Sequence, residues 1–249
     1  MRLHRGIAAL ASALLLTASA AQAGDIKVFS STSLRGVLDE LAPQFEHATG
    51  NKLVFTIGPA AVMKQKIDEG AAFDVAIVTP PLLEALVASG KVDPATRAAI
   101  ARSALAVSVR AGTEKPDVAT ADALKHTLLD AKSIGYNGQG ATRAGVESMF
   151  AKLGIADAVK PKIKLVTTSA PEAVAHGEVE VGLSPMSEVV AVSGAQLAGA
   201  VPEDYRSYIV LSGAVAAASA NADGATALLK FLTAPAALPV LKAKGMEPG

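Results

Sequence analysis

Apolar residues in this chain alternate between short continuous runs and stretches at helical spacing. Residues 26–30 form the first run and predict a buried strand, which enters Ser31-Thr32-Ser33. Leu34, Val37, Leu38, Leu41 and Phe45 then recur every three or four positions, predicting a helix that Thr49-Gly50 closes. Pro43 lies inside that helix and is expected to bend it or shorten its hydrogen-bond ladder. Residues 53–57 and 75–78 predict two more strands. Each is followed by a helix, 62–68 stopped by Gly70, and 80–89 opened by Pro80-Pro81 and ended by Gly90.

The same alternation continues beyond residue 100. Strands are predicted over 105–109, 134–136, 163–166, 179–183 and 208–215. Helices are predicted over 121–129, around Val146, Phe150 and Leu153, after Pro171, over 225–232 and over 235–244. Repeated strand–helix units imply an α/β fold with parallel strands, because parallel neighbours need crossover connections.

The first 23 residues read differently. Arg2 and Arg5, an apolar stretch from Ile7 to Leu16 and Ala21-Gln22-Ala23 make the three parts of a cleavable export signal, with Gly24 as the mature start. No cysteine follows the apolar stretch, so a lipid anchor is chemically excluded, and a periplasmic location is expected. The whole chain balances 23 basic against 23 acidic residues, and loss of Arg2 and Arg5 leaves the mature part slightly acidic. That balance excludes nucleic acid as a partner. With no cysteine at all, disulfides, thiolate metal sites and thiol nucleophiles are absent.

Polar residues gather where strands hand over to helices, where unpaired N–H groups and the helix dipole suit anions. These junctions are Ser31-Thr32-Ser33, Gly58-Pro59-Ala60-Ala61, residues 137–143, Thr167-Thr168-Ser169-Ala170 and Ser184-Pro185-Met186-Ser187. One Ser or Thr before a helix is an ordinary cap; recurrence at successive junctions points to a ligand. Ser31, Thr32 and Ser33 are expected to contact one side of a small anion, with Ala60 and Ala61 donating backbone N–H groups. Gly140, Thr142 and Arg143 are expected from the facing side, together with Ser169, Ala170 and Ser187. Arg143 has two readings: a bidentate grip on a carboxylate or oxyanion, or an ion pair with Glu147 one turn along its helix.

Enzyme signatures are scarce. His47, His126 and His176 lack zinc-helix spacing, and no nucleophile elbow, Walker loop or dinucleotide fingerprint occurs. No catalytic residue, metal site or cofactor is therefore assigned. No acid or histidine is read into a junction loop, so an enzyme moving protons would have to use Tyr136 or Ser31.

The segments IKVFSSTSLRGVLDELAPQFEHATGNKLVFTIG, GAAFDVAIVTP, EAVAHGEVEVGL and KFLTAPAALPVLKAKGMEP resemble the periplasmic molybdate-binding proteins of ABC importers, over essentially the whole mature chain. The resemblance implies a type II periplasmic binding protein fold, two α/β lobes with a central ligand cleft. Lobe 1 would comprise 24–106 plus 207–249, lobe 2 would comprise 107–206, and 1–23 would be the signal peptide. It further implies a monomer that delivers its ligand to an ABC transporter permease in the inner membrane. Ser33 stands where the family's first ligand serine belongs. The second serine's place holds Pro59-Ala60-Ala61, and the place of the family's tyrosine falls at Ser184-Pro185-Met186. These departures leave two ligand classes, a molybdate-like oxyanion or a small carboxylate. The branch also resembles aconitate isomerase, an exported enzyme of the same fold, which stands as the alternative function.

Overall fold

The computed structural model describes residues 24–138 and 142–249. The expected leader, 1–23, and Gly140 of the candidate loop lie outside the described residues. In chain order the elements are β1 (Asp25–Ser31), α1 (Arg35–Thr49), β2 (Lys52–Gly58), α2 (Ala60–Asp68), β3 (Val75–Val78), α3 (Pro80–Ala88) and β4 (Ala98–Arg110). There follow α4 (Ala121–Asp130), β5 (Ile134–Asn137), α5 (Arg143–Lys152), α6 (Ala156–Val159), β6 (Ile163–Val166), α7 (Ala170–Ala175), β7 (Val181–Pro185) and α8 (Met186–Val190). The chain closes with β8 (Ala195–Ala200), β9 (Tyr208–Val215), α9 (Ala222–Thr233), α10 (Leu238–Ala243) and β10 (Glu247–Pro248).

The strands follow the order β2-β1-β3-β9-β4-β7-β5-β6, with β8 and β10 also on β4. β4 joins two halves. Its first part, Ala98 to Ala104, pairs with β9, and Leu105 to Ser108 pair with β7. The cores divide at the same point. Ile100 and Ala101 belong to a core with Val37, Leu41, Phe45 and Leu228, whereas Leu105, Val107 and Val109 belong to one with Leu124, Leu128, Met149 and Phe150. The chain returns between the halves over residues 201–207, and Leu105 is bonded to it on both sides: Val201 donates to its carbonyl at 2.9 Å and its own N–H donates to Ser207 at 2.8 Å.

Register fixes which strand ends meet. Pro185, the last residue of β7, lies opposite Leu105, and Tyr208, the first of β9, lies opposite Ala104. β3 runs antiparallel to β9 and β5 runs parallel to β7. The carboxyl ends of the parallel strands in both halves therefore point toward the middle of β4. This is a two-lobed α/β arrangement with the carboxyl ends of its parallel strands, the side on which open α/β sheets generally hold ligands, turned inward.

Several elements differ from expectation for physical reasons. α1 runs through Pro43, whose face is exposed, so the missing N–H leaves a carbonyl in water while Val37, Leu41 and Phe45 hold the buried face. β4 is longer than 105–109 because its first part, rich in alanine, becomes the central strand of the first half. β7 ends two residues later than expected, carrying Ser184 and Pro185 inside the strand. β8 (AQLAGA), α6 and β10 have no counterpart in the apolar pattern.

Candidate functional site

Neighbouring strands bring the candidate residues into two groups. Ser31 pairs with Gly58 across β1 and β2, so the 3-10 turn Thr32–Leu34 and the start of α2 at Ala60-Ala61 lie side by side. Asn137 pairs with Val166 across β5 and β6, and its side-chain amide donates to the Thr168 carbonyl at 3.1 Å. That contact sets Asn137, at the end of β5, beside the Ser169-Ala170 junction. α8, which begins straight after Pro185, carries Ser187.

One hydrogen bond links the groups. The Ser33 hydroxyl donates to Glu188 Oε1 at 3.1 Å, from the end of β1 in one half to the first turn of α8 in the other. Glu188 was not foreseen: the junction reading stopped at Ser187. An acid in the first turn of a helix that opens at a strand's carboxyl end was the available signal, and it corrects the expectation that no junction holds an acid.

Burial raises the Glu188 carboxyl above the ordinary glutamate range; Ser33's hydrogen bond opposes this and the charge of Glu172 adds to it. Among the described residues no Lys, Arg or His comes within 4.0 Å of it as an ion-pair partner. The sign of the consequence is definite. Below the ordinary glutamate value the group is protonated in both folded and unfolded chains, and its stabilising contribution is intact. As pH rises through the raised folded value, ionisation is easier in the unfolded chain and stability falls. Glu188→Gln is expected to remove that part of the pH dependence and to raise the neutral-pH melting temperature of the unliganded protein, by roughly 2–4 °C for each kcal/mol recovered. Calorimetry from pH 4 to 8 measures it, and an unchanged slope would show that Glu188 is solvated like a surface acid.

The helix starts differ in how their N–H groups are used. Away from the inward strand ends, Thr120 caps α4 and Asn221 caps α9, whereas α6 and α10 begin without a side-chain cap. The 3-10 turn after β1, α2 after β2, α5 after the β5 loop and α8 after β7 have no side-chain cap. α3 is also uncapped, but Pro80 and Pro81 occupy its first two positions and remove the N–H donors. α7 is the exception on this face. Ser169 makes a full capping box with Glu172, its hydroxyl accepting from the Glu172 N–H while Glu172 accepts from the Ser169 N–H. Ala170 behind it is buried.

Ser31 is buried, whereas Thr32 is exposed and Ser33 half-exposed. The Ser187 N–H donates to Ser103 Oγ at 3.0 Å, and that hydroxyl donates to the Gly245 carbonyl at 2.8 Å, tying α8 to the C-terminal segment. The Ser187 hydroxyl is buried with no partner among the described residues. Arg143 forms the foreseen pair with Glu147 at 2.8 Å and donates to the Gly138 carbonyl at 3.1 Å. The pair is half exposed, so it contributes little and is readily exchanged. Tyr136 is buried edge-on against Phe150, and burial followed by Glu147 raises its phenol further; it is a packing residue and a poor base. A groove of about 800 Å³ lies at the other end of the second-half strands, lined by Ser133 and Val181, and holds none of the candidate residues.

Comparison with known proteins places this geometry. The family model described as bacterial extracellular solute-binding protein matches residues 26–247. The chain is 30% identical to an aconitate isomerase of a Pseudomonas species over 98% of its length and 94% of the relative's. It is 29% identical to the molybdate-binding protein ModA of Azotobacter vinelandii, covering 98% of this chain and 97% of that one. The solved periplasmic molybdate-binding protein of Azotobacter vinelandii superposes with a TM-score of 0.75 over 90% of this chain and 99% of its own, at 22% identity. With a family match across nearly the whole described chain and strand ends from two halves converging on β4, the chain belongs to the bacterial extracellular solute-binding proteins.

Proposed function

We propose that the protein is an exported, periplasmic receptor that holds one small anion between its lobes and delivers it to an ABC permease of the inner membrane. The lobes would be 24–106 with 207–249, and 107–206. The observation that carries this reading is the convergence of three helix starts without a side-chain cap, those of the 3-10 turn, α2 and α5, at the inward strand ends. Uncapped N–H groups with a helix dipole neutralise an anion without a full cation. Ser31, Thr32 and Ser33 with the Ala60 and Ala61 N–H groups would form one wall. Thr142 and Arg143 would form the other, with Ser187 and, once its box opens, Ser169-Ala170 at the edge. Gly140 belongs to the same loop by sequence.

The choice of anion follows from two residues. Alanines stand where the family's second serine is expected, which removes a hydroxyl donor, and Glu188 adds a carboxyl beside Ser33. The lost donor weighs against a tetrahedral oxyanion, and Glu188, when protonated, can donate to a carboxylate ligand. A second reading, an aconitate isomerase, is supported by the 30% relative and by the same Glu188, since proton transfer at carbon needs a base.

Thermal shift against molybdate, tungstate, sulfate, phosphate and di- and tricarboxylates tests the binding reading. Stabilisation follows mass action, about 2.7 kcal/mol at a ligand concentration one hundred times Kd. A tricarboxylate is expected to shift the melting temperature by several degrees and molybdate by less; no shift with any anion would end the reading.

A further inference from the structure

We propose that Glu188 is the acid–base residue of this cleft, removing a proton from one carbon of a bound unsaturated polycarboxylate and returning it to another. The inference rests on the carboxylate-binding reading above and adds chemistry to it.

Geometry supplies the main support. Glu188 sits in the first turn of α8, directly after Pro185, and Pro185 lies opposite Leu105 at the middle of β4. Its carboxyl bonds Ser33, the residue that anchors the opposite wall, at 3.1 Å. A group held between the two walls is within reach of whatever the walls enclose. Any ligand that displaces the Ser33 hydroxyl inherits the place beside Glu188.

Charge supplies the second support. Among the described residues, the elements packed against α8 bring no ion-pairing cation to this carboxyl; Lys244, beside Gly245 in the C-terminal segment that touches Met186, pairs with Glu40 at 2.9 Å. The 3-10 turn contributes Ser33; the charged residues of β4 are Arg102, which pairs with Glu247, and Arg110, which lies beside Gly177. β7 and β8 carry no charged residue, and the charge acting on Glu188 is that of Glu172. A carboxylate without a cation is a liability in an anion receptor, because it repels the ligand. The same arrangement is an advantage for proton abstraction, since a partly desolvated carboxylate is a stronger base than a solvated one.

The step balances without a cofactor. The ligand carries a CH2 group flanked by its own carboxylate and by the carbon–carbon double bond. Glu188 takes one CH2 proton, and the C–H electron pair becomes a new double bond to the central carbon. The old double bond's pair moves to its far carbon, which accepts the proton back from the Glu188 carboxylic acid. Nothing is oxidised or reduced and no group leaves. The geometry of the new double bond is set by the conformation in which the CH2 arm was held, so a bent arm converts trans to cis. Uncapped N–H groups of the helix starts would stabilise the charge that spreads onto the ligand's carboxylates in transit.

The test uses the mature protein with trans-aconitate in deuterium oxide, following deuterium entry into the ligand by NMR and binding by thermal shift. The wild-type protein is expected to exchange ligand protons and form the cis isomer, with a rate that rises as pH passes through the Glu188 titration. Glu188→Gln, equal in size and neutral, is expected to lower exchange at least 100-fold while the thermal shift persists or grows. Glu188→Asp, which keeps the carboxyl but withdraws it, is expected to retain measurable exchange. A wild-type protein that binds trans-aconitate without exchange overturns the catalytic role and leaves the receptor reading standing. Equal exchange by wild type and Glu188→Gln overturns the residue assignment. Absence of both exchange and thermal shift overturns the carboxylate reading and the inference with it.

Discussion

Phe45→Ala is expected to lower stability by about 3–5 kcal/mol and the melting temperature by roughly 6–20 °C, while the protein still unfolds in one transition. Phe45 is 1% exposed and meets Phe231 edge-on at 5.5 Å, joining α1 to α9 over the first-half core. Its removal leaves a void between two helices that the sheet below prevents from collapsing. The single transition follows from β4. Ile100 and Ala101 lie in the first core and Leu105, Val107 and Val109 in the second, on one continuous strand. Unfolding the first half would strip β9 from β4 and free the residues that bond Leu105. Leu165→Ser, at a side chain 52% exposed, is the matched control and should move stability by less than about 0.5 kcal/mol. Two resolved calorimetric transitions in Phe45→Ala would mean that the halves are thermodynamically separate.

The alternation that builds both halves was legible because buried strands leave short apolar runs and helix ends leave glycines. Gly50, Gly70 and Gly90 were each read as helix stops, and each adopts a positive φ, from 68° to 93°, where a side chain would be strained. β8 was not legible, since every residue of AQLAGA is half-buried and Leu197 is its only large apolar side chain; its place is decided by pairing with β4. The first part of β4 was hidden for the same reason, alanines giving no clear apolar signal. At the site, the junctions were legible but their use was not. A serine before a helix reads the same whether it caps, as Ser169 does, or leaves the helix start bare, as Ser31 does. Glu188 was missed because its role depends on Ser33, 155 positions away, and no local pattern carries such a pairing.

That pairing changes what removal of the Ser33 hydroxyl should do. Seen only as a ligand contact, Ser33→Ala ought to weaken binding and leave the unliganded protein unaffected. The hydrogen bond to Glu188 adds a second effect: without it a buried carboxyl loses its donor, at a cost of about 1–3 kcal/mol. Ser33→Ala is therefore expected both to weaken anion binding roughly ten- to hundredfold and to lower the unliganded melting temperature, more at pH 8 than at pH 4. The ordering with pH follows from the raised carboxyl, which is protonated at low pH and then needs its donor less. Addition of Glu188→Gln separates the two effects. In Ser33→Ala/Glu188→Gln no charge is left without a partner, so the unliganded stability should return toward that of Glu188→Gln alone, with a coupling energy of about 0.5–3 kcal/mol in the double-mutant cycle. Binding should stay weak, because the lost hydroxyl is still a lost contact. Calorimetry and titration on the four proteins of the cycle decide the matter: additive stabilities would make the Ser33–Glu188 bond energetically idle, and restored binding in the double variant would remove Ser33 from the anion's wall.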